Sequence, residues 1–127
     1  MRSIVYCAMA LALTAGFGSA AHANSRFTVK NDFFESIYVR VFDGGDISCT
    51  AKAKNFEVKP GETKSAGCTG NGKQQCKITV KEESIGKFSR DRVCSKLTNT
   101  CGAGRKVINI ANKQTLIVSG RESCTIE

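Results

Sequence analysis

From Arg26 onward, apolar and polar residues alternate with a period of two in run after run. Phe27 and Val29 alternate with Arg26, Thr28 and Lys30, and Ile37, Val39 and Val41 alternate with Tyr38, Arg40 and Phe42. Successive side chains of a strand point to opposite faces, so both runs predict half-buried β-strands. Asp43-Gly44-Gly45-Asp46 follows the second run and predicts a tight turn, because glycine supplies positive φ at no steric cost; the expected hairpin returns through Ile47-Ser48-Cys49-Thr50. Phe56 and Val58 alternate with Asn55, Glu57 and Lys59, and Lys59-Pro60-Gly61-Glu62 then sets Pro before Gly as a type II turn requires. Gly70-Asn71-Gly72 predicts another turn, before Cys76, Ile78 and Val80 alternate with Lys77, Thr79 and Lys81. Two β-branched runs, 107–111 and 115–118, predict a hairpin about Asn112-Lys113-Gln114, and Cys124-Thr125-Ile126 a last short strand.

The segment 82–106 breaks the period. Ser89 suits the cap of a short helix near 89–97 with Val93 and Leu97 on one face, and a long loop pinned by Cys94 and Cys101 fits the same residues equally well. No repeat or heptad is visible. Short strands at close spacing predict an all-β fold: a small disulfide-stabilised β-sandwich of seven or eight antiparallel strands, with a small β-barrel as the alternative.

Residues 1–23 read as a secretory signal: Arg2, an apolar run from Ile4 to about Ala15, and small residues up to Ala21-His22-Ala23. The run falls short of the roughly 20 residues that cross a bilayer. A cut after Ala20 is the rival site. Cleavage after Ala23 removes the sole histidine (His22), both methionines and Cys7, and leaves residues 24–127 as one β-rich domain, secreted or periplasmic, with no transmembrane segment. Its cysteines, Cys49, Cys68, Cys76, Cys94, Cys101 and Cys124, are an even set in an exported chain, which predicts three disulfides. Bridging of short turn-like segments favours Cys94 with Cys101 and Cys68 with Cys76, leaving Cys49 with Cys124. Zinc is disfavoured, because six residues separate even the closest cysteines and no histidine accompanies them.

A folded part without histidine cannot build a Ser-His-Asp or Cys-His arrangement or a histidine-ligated metal site. Paired carboxylates remain chemically open, but the acids lie mostly beside lysines or in predicted turns, and a domain this small is expected to have little room for a substrate cleft. The expectation is therefore no enzyme, no catalytic residue, no cofactor and no metal. Asp43 and Asp46 offer too few oxygens for calcium on their own. Gly102-Ala103-Gly104-Arg105-Lys106 lacks the spacing and the terminal hydroxyl residue of a phosphate loop.

Charge says more. Losing Arg2 leaves 18 of the 19 Lys and Arg residues against all 11 acids, a net charge of +7. Arg26, Lys30, Arg40, Lys77 and Lys81 fall on the polar side of their runs, which makes them candidates for a basic sheet face that binds an anion. Nucleic acid is a poor fit, since stacking needs aromatic platforms and residues 24–127 hold one tyrosine, Tyr38, and no tryptophan. Phe33 and Phe34, between the first two strands, are candidates for contact with a protein partner.

Phe27-Thr28-Val29-Lys30-Asn31, then Ile37-Tyr38-Val39 and Gly44-Gly45, resembles the opening of thaumatin-like proteins over about fifteen residues. The dense cysteine set and tryptophan-bearing motif of that family are absent here, so the resemblance implies no residue roles. The function expected from the residues is a secreted or periplasmic binding module for a protein partner or an anionic cell-surface polymer. A small cationic effector acting on membranes and a carboxylate-dependent hydrolase are the alternatives.

Overall fold

The structure, a computed structural model, describes residues 24–42, 48–50, 53–69, 74–82 and 93–127. Two sheets face each other across one core. The first is built from β1 (Asn24–Asn31), β4 (Thr63–Thr69), β8 (Thr115–Val118) and β9 (Cys124–Ile126), in the order β4-β1-β8-β9. The second is built from β2 (Ile37–Phe42), β3 (Ala53–Val58), β5 (Gln75–Glu82), β6 (Asn99–Thr100) and β7 (Lys106–Ala111), in the order β3-β2-β5-β7-β6. The period-two runs supply the core: Phe27 and Val29 from β1, Leu116 and Val118 from β8, Ile37, Val39 and Val41 from β2, Ile78 and Val80 from β5, and Ile108 and Ile110 from β7 are all buried. This is the expected sandwich, and its sheets do not close into a barrel.

Three details differ from the sequence-based expectation. Among the described residues there are nine strands, and one pairing is parallel: β1 runs alongside β8, Val29 opposite Leu116. The two runs about Asn112-Lys113-Gln114 form no hairpin, since β7 lies in one sheet and β8 in the other. The turn between them is docked on β1, with the Lys113 amide donating to the Arg26 carbonyl (2.7 Å) and the Thr28 amide to the Gln114 carbonyl (3.0 Å). It delivers β8 across the core, so that Ile108 and Ile110 enter the same core as Leu116 and Val118 from opposite sheets. Finally, β2 pairs with β3, not with a strand over 47–50; residues 48–50 are irregular. The glycine turns at 43–46 and 70–72 and the start of the proposed helix, 89–92, lie outside the described residues. Over Ser95–Leu97 the chain makes a single 3-10 turn, entered through Cys94 in the left-handed region (φ 66°). At Gly61 the expected turn is present: φ is +81°, and the Glu62 amide closes it by donating to the Lys59 carbonyl at 2.9 Å.

All six cysteines pair, as Cys68–Cys76, Cys49–Cys101 and Cys94–Cys124. The first is the expected pairing, and it bridges β4 to β5 across the sandwich. The other two exchange the partners expected for Cys94 and Cys101. No closed turn joins those two residues: the 3-10 turn and β6 carry the chain from one to the other. Cys94 is held against the β8–β9 turn by its amide, which donates to the Arg121 carbonyl (2.6 Å), while the Ser95 hydroxyl donates to Glu122 (2.9 Å). Cys101 instead meets Cys49 over the outer face of the five-stranded sheet. There Phe42, Cys49 and Val107, backed by Ala53 and Cys101, form a second, smaller apolar cluster. Glu82, buried at the end of β5, receives the Arg121 Nε at 2.6 Å and so joins the two sheets near Cys94.

Candidate functional site

The five candidate cations fall on two opposed faces. Arg26 and Lys30 alternate with buried Phe27 and Val29 and lie on the outside of the four-stranded sheet, where Lys30 sits 3.9 Å from Asp32. Arg40, Lys77 and Lys81 lie on the outside of the five-stranded sheet. In the β2–β5 register, Arg40 opposes Thr79, which sets Lys77 and Lys81 diagonally to either side of it. Diagonal neighbours across an antiparallel pair lie roughly 7–8 Å apart, within a Debye length at physiological salt, so these charges act on a ligand together.

That second face has a cation that sequence reasoning missed. Arg105 stands over the Phe42 ring with its guanidinium carbon 5.6 Å from the centroid, and Arg40 approaches the same ring at 5.9 Å. Phe42 is buried by the small outer cluster, so its ring is a fixed platform that orients two guanidinium groups. Among the described residues, no carboxylate lies within ion-pair distance of Arg40, Lys77, Lys81 or Arg105. Among the described residues one acid shares the face: Glu57 opposes Tyr38, which in turn opposes Lys81. No spacing rule links Arg105 to Arg40; only the fold of the 101–105 segment onto the sheet joins them.

The two phenylalanines part company. Phe33 is buried in the main core, while Phe34 is 76% exposed, with the two ring centroids 4.6 Å apart. Their loop is tied down by Asn31, which is fully buried. Its side-chain amide donates to the carbonyls of Glu35 (2.8 Å) and Val58 (2.9 Å), and its Oδ1 accepts from the Phe33 amide (2.8 Å). Phe34 is thus held out on a fixed loop.

Between the edge strands β3 and β4, where the two sheets gape, lies a cleft of about 480 Å³. The expectation that the domain leaves little room for a cleft is therefore corrected: β3 and β4 are both edges, and they diverge on the same side of the sandwich. Its walls include Val41 and Phe56 from one sheet, Ser25 and Arg26 from the other, and Lys54. Lys54 is in register with Val41 and alternates with Phe56 and Val58 along the inner side of β3, a placement that Lys54-Asn55-Phe56-Glu57-Val58 already announces in sequence. Its counterpart on β4, Lys64, is in register with Val29, and its ammonium donates to the Glu57 carbonyl at 2.7 Å.

Compared with known proteins, the chain matches no family model and no curated protein. Among the described residues, no helix is long and apolar enough to cross a membrane.

Proposed function

We propose that the domain is a non-catalytic binding module of a secreted or periplasmic protein, which holds an anionic cell-surface polymer on the outer face of its five-stranded sheet. The observation that carries this reading is the set of four cations on one face: Arg40 and Arg105 over the Phe42 ring, Lys77 in register with Phe42 and Lys81 in register with Tyr38. A repeating polyanion suits such a face better than a single small anion, because the charges are spread over β2, β5 and the segment before β7 and do not converge on one point. Arginine adds geometric selectivity, since its fork matches sulfate, phosphate and carboxylate groups in two-point contacts. An oxidising compartment agrees with the three disulfides.

The test is equilibrium binding of the oxidised protein to a sulfated and to a neutral polysaccharide at low salt. The sulfated polymer should bind, and replacing Arg40, Lys77 and Lys81 together by glutamine should weaken it at least tenfold. Equal binding of the neutral polymer, or full affinity in the triple variant, would refute the reading. A protein partner is the second reading, favoured by Phe34. Phe34→Ser should then abolish capture of that partner without changing polysaccharide binding.

A further inference from the structure

We propose that the cleft between the edges of β3 and β4 is a second site, one that binds a small amphiphilic anion. An oxyanion head would sit among Arg26, Lys54 and Ser25, and an apolar body would lie against Val41 and Phe56. The cleft is distinct from the polymer-binding face, and its volume falls in the range of small-molecule sites. Four features converge there.

Arg26 belongs by alternation to the outer side of β1, yet it reaches the cleft because its cross-strand neighbour is Gly67. A Cβ at Gly67 would lie 3.3 Å from an Arg26 guanidinium nitrogen and 2.9 Å from the Ser25 carbonyl oxygen. The absence of a side chain there is what lets the guanidinium lie across β4. Lys54 faces it from the other sheet, on the inner side of β3. Among the described residues, no carboxylate lines the cleft and neither cation has an ion-pair partner. Two uncompensated cations flanking one cleft select a negatively charged group, and arginine with lysine binds carboxylate and phosphate alike.

Ser25 supplies the third feature. It is completely buried, lines the cleft, and among the described residues its hydroxyl has no hydrogen-bond partner. Buried hydroxyls in native proteins are nearly always satisfied, so an orphan in the lining of a cleft that two cations also line points to a partner that arrives from outside. The fourth is the apolar wall: Val41 is buried and Phe56 half-buried, a surface that a free inorganic anion would leave unused. An inward lysine on an edge strand also discourages sheet-to-sheet pairing, but that role accounts for Lys54 alone and leaves Arg26 over Gly67 and the orphaned Ser25 unexplained.

Calorimetric titration of the oxidised protein with octanoate and with octyl phosphate, below their micellar concentrations, tests the proposal. Octanol and inorganic phosphate serve as the headless and tailless controls. At least one octyl anion should bind saturably at one site, tenfold or more tighter than either control, and the tighter of the two identifies the head group. Lys54→Gln should weaken it at least fivefold, and Ala66→Leu, which narrows the cleft, should do the same. Ser25→Ala should weaken binding while raising the unfolding temperature, because it removes the unsatisfied hydroxyl. Octanol binding as tightly as octanoate, no binding of either anion at millimolar concentration, or unchanged affinity in Lys54→Gln would overturn the proposal. Loss of polymer binding in the Arg40/Lys77/Lys81 variant with octyl-anion binding intact would keep the two sites separate.

Discussion

At the scale of the residue, Asn31 shows how one polar side chain can carry a loop. All three hydrogen-bonding positions of its amide that the fold uses are directed to backbone groups, two carbonyls and one N–H, and it is fully buried. Asn31→Ala should cost about 3 kcal/mol in urea denaturation, because it strands buried backbone groups without water to replace the lost partner. Asn31→Asp preserves the shape and should be at least as damaging at neutral pH, since an ionised carboxylate cannot donate to the Glu35 and Val58 carbonyls. Burial and those two acceptors raise the folded-state pKa of the introduced acid, so the variant keeps most stability at acid pH and loses it as pH rises above about 4. A deficit in Asn31→Asp that shrinks with rising pH would refute this account. Arg121 poses the complementary case. Removing it leaves the Glu82 carboxylate, 1% exposed, without its cation, and because the arginine itself is 56% exposed the loss should be about 1–3 kcal/mol, short of the full cost of breaking a buried pair. Urea denaturation of Arg121→Ala measures it.

At the scale of the element, a period of two says some things about a strand and is silent on others. Alternation identified β1, β2, β3 and β5 because each buries one face, enrichment in β-branched residues marked β7 and β8, and Pro60-Gly61 marked its turn through backbone chemistry alone. Alternation carries no record of which sheet a strand joins. Two β-branched runs three residues apart look the same whether they fold back on each other or cross the core, and the choice was made by bonds from the turn to Arg26 and Thr28, far away in sequence. Of the three expected cysteine pairings, Cys68–Cys76 held and the other two failed for the same reason, since Cys94 and Cys101 are near in sequence but β6 carries them to different places. In the chain-entropy account, a bridge restrains the unfolded chain more as its loop lengthens. With partners 52, 30 and 8 residues apart in sequence, losing Cys49–Cys101, Cys94–Cys124 or Cys68–Cys76 should cost about 4.1, 3.6 and 2.5 kcal/mol respectively. Paired Cys→Ala variants compared by denaturation check that order. Edge strands make a separate demand. Lys54 on β3 and Lys64 on β4 both fall on the inner side of exposed edges, where a lysine resists pairing with another chain. Replacing both by valine should shift the protein toward larger species in size-exclusion chromatography as concentration rises, and an unchanged profile would count against that role.

At the scale of the whole molecule, the question is whether a net charge of +8 acts as a diffuse attraction or through one face. Composition could not answer it, since the sequence puts all five candidate cations on polar sides of strands and only the sandwich separates Arg26 and Lys30 from Arg40, Lys77 and Lys81. The separation supplies its own control. Arg26→Gln/Lys30→Gln and Lys77→Gln/Lys81→Gln each lower the net charge by two, yet they act on opposite sheets. If attraction were diffuse, both variants would lose the same affinity for a sulfated polymer, because long-range steering depends on summed charge. If the polymer lies on the five-stranded sheet, only the Lys77/Lys81 variant loses contacts that release condensed counterions. The slope of log affinity against log salt should then become shallower by about two for that pair, and by well under one for the other. Equal slopes in the two variants would reduce the basic face to a matter of solubility. A shallower slope on the Arg26/Lys30 side alone would move the polymer site to the opposite sheet.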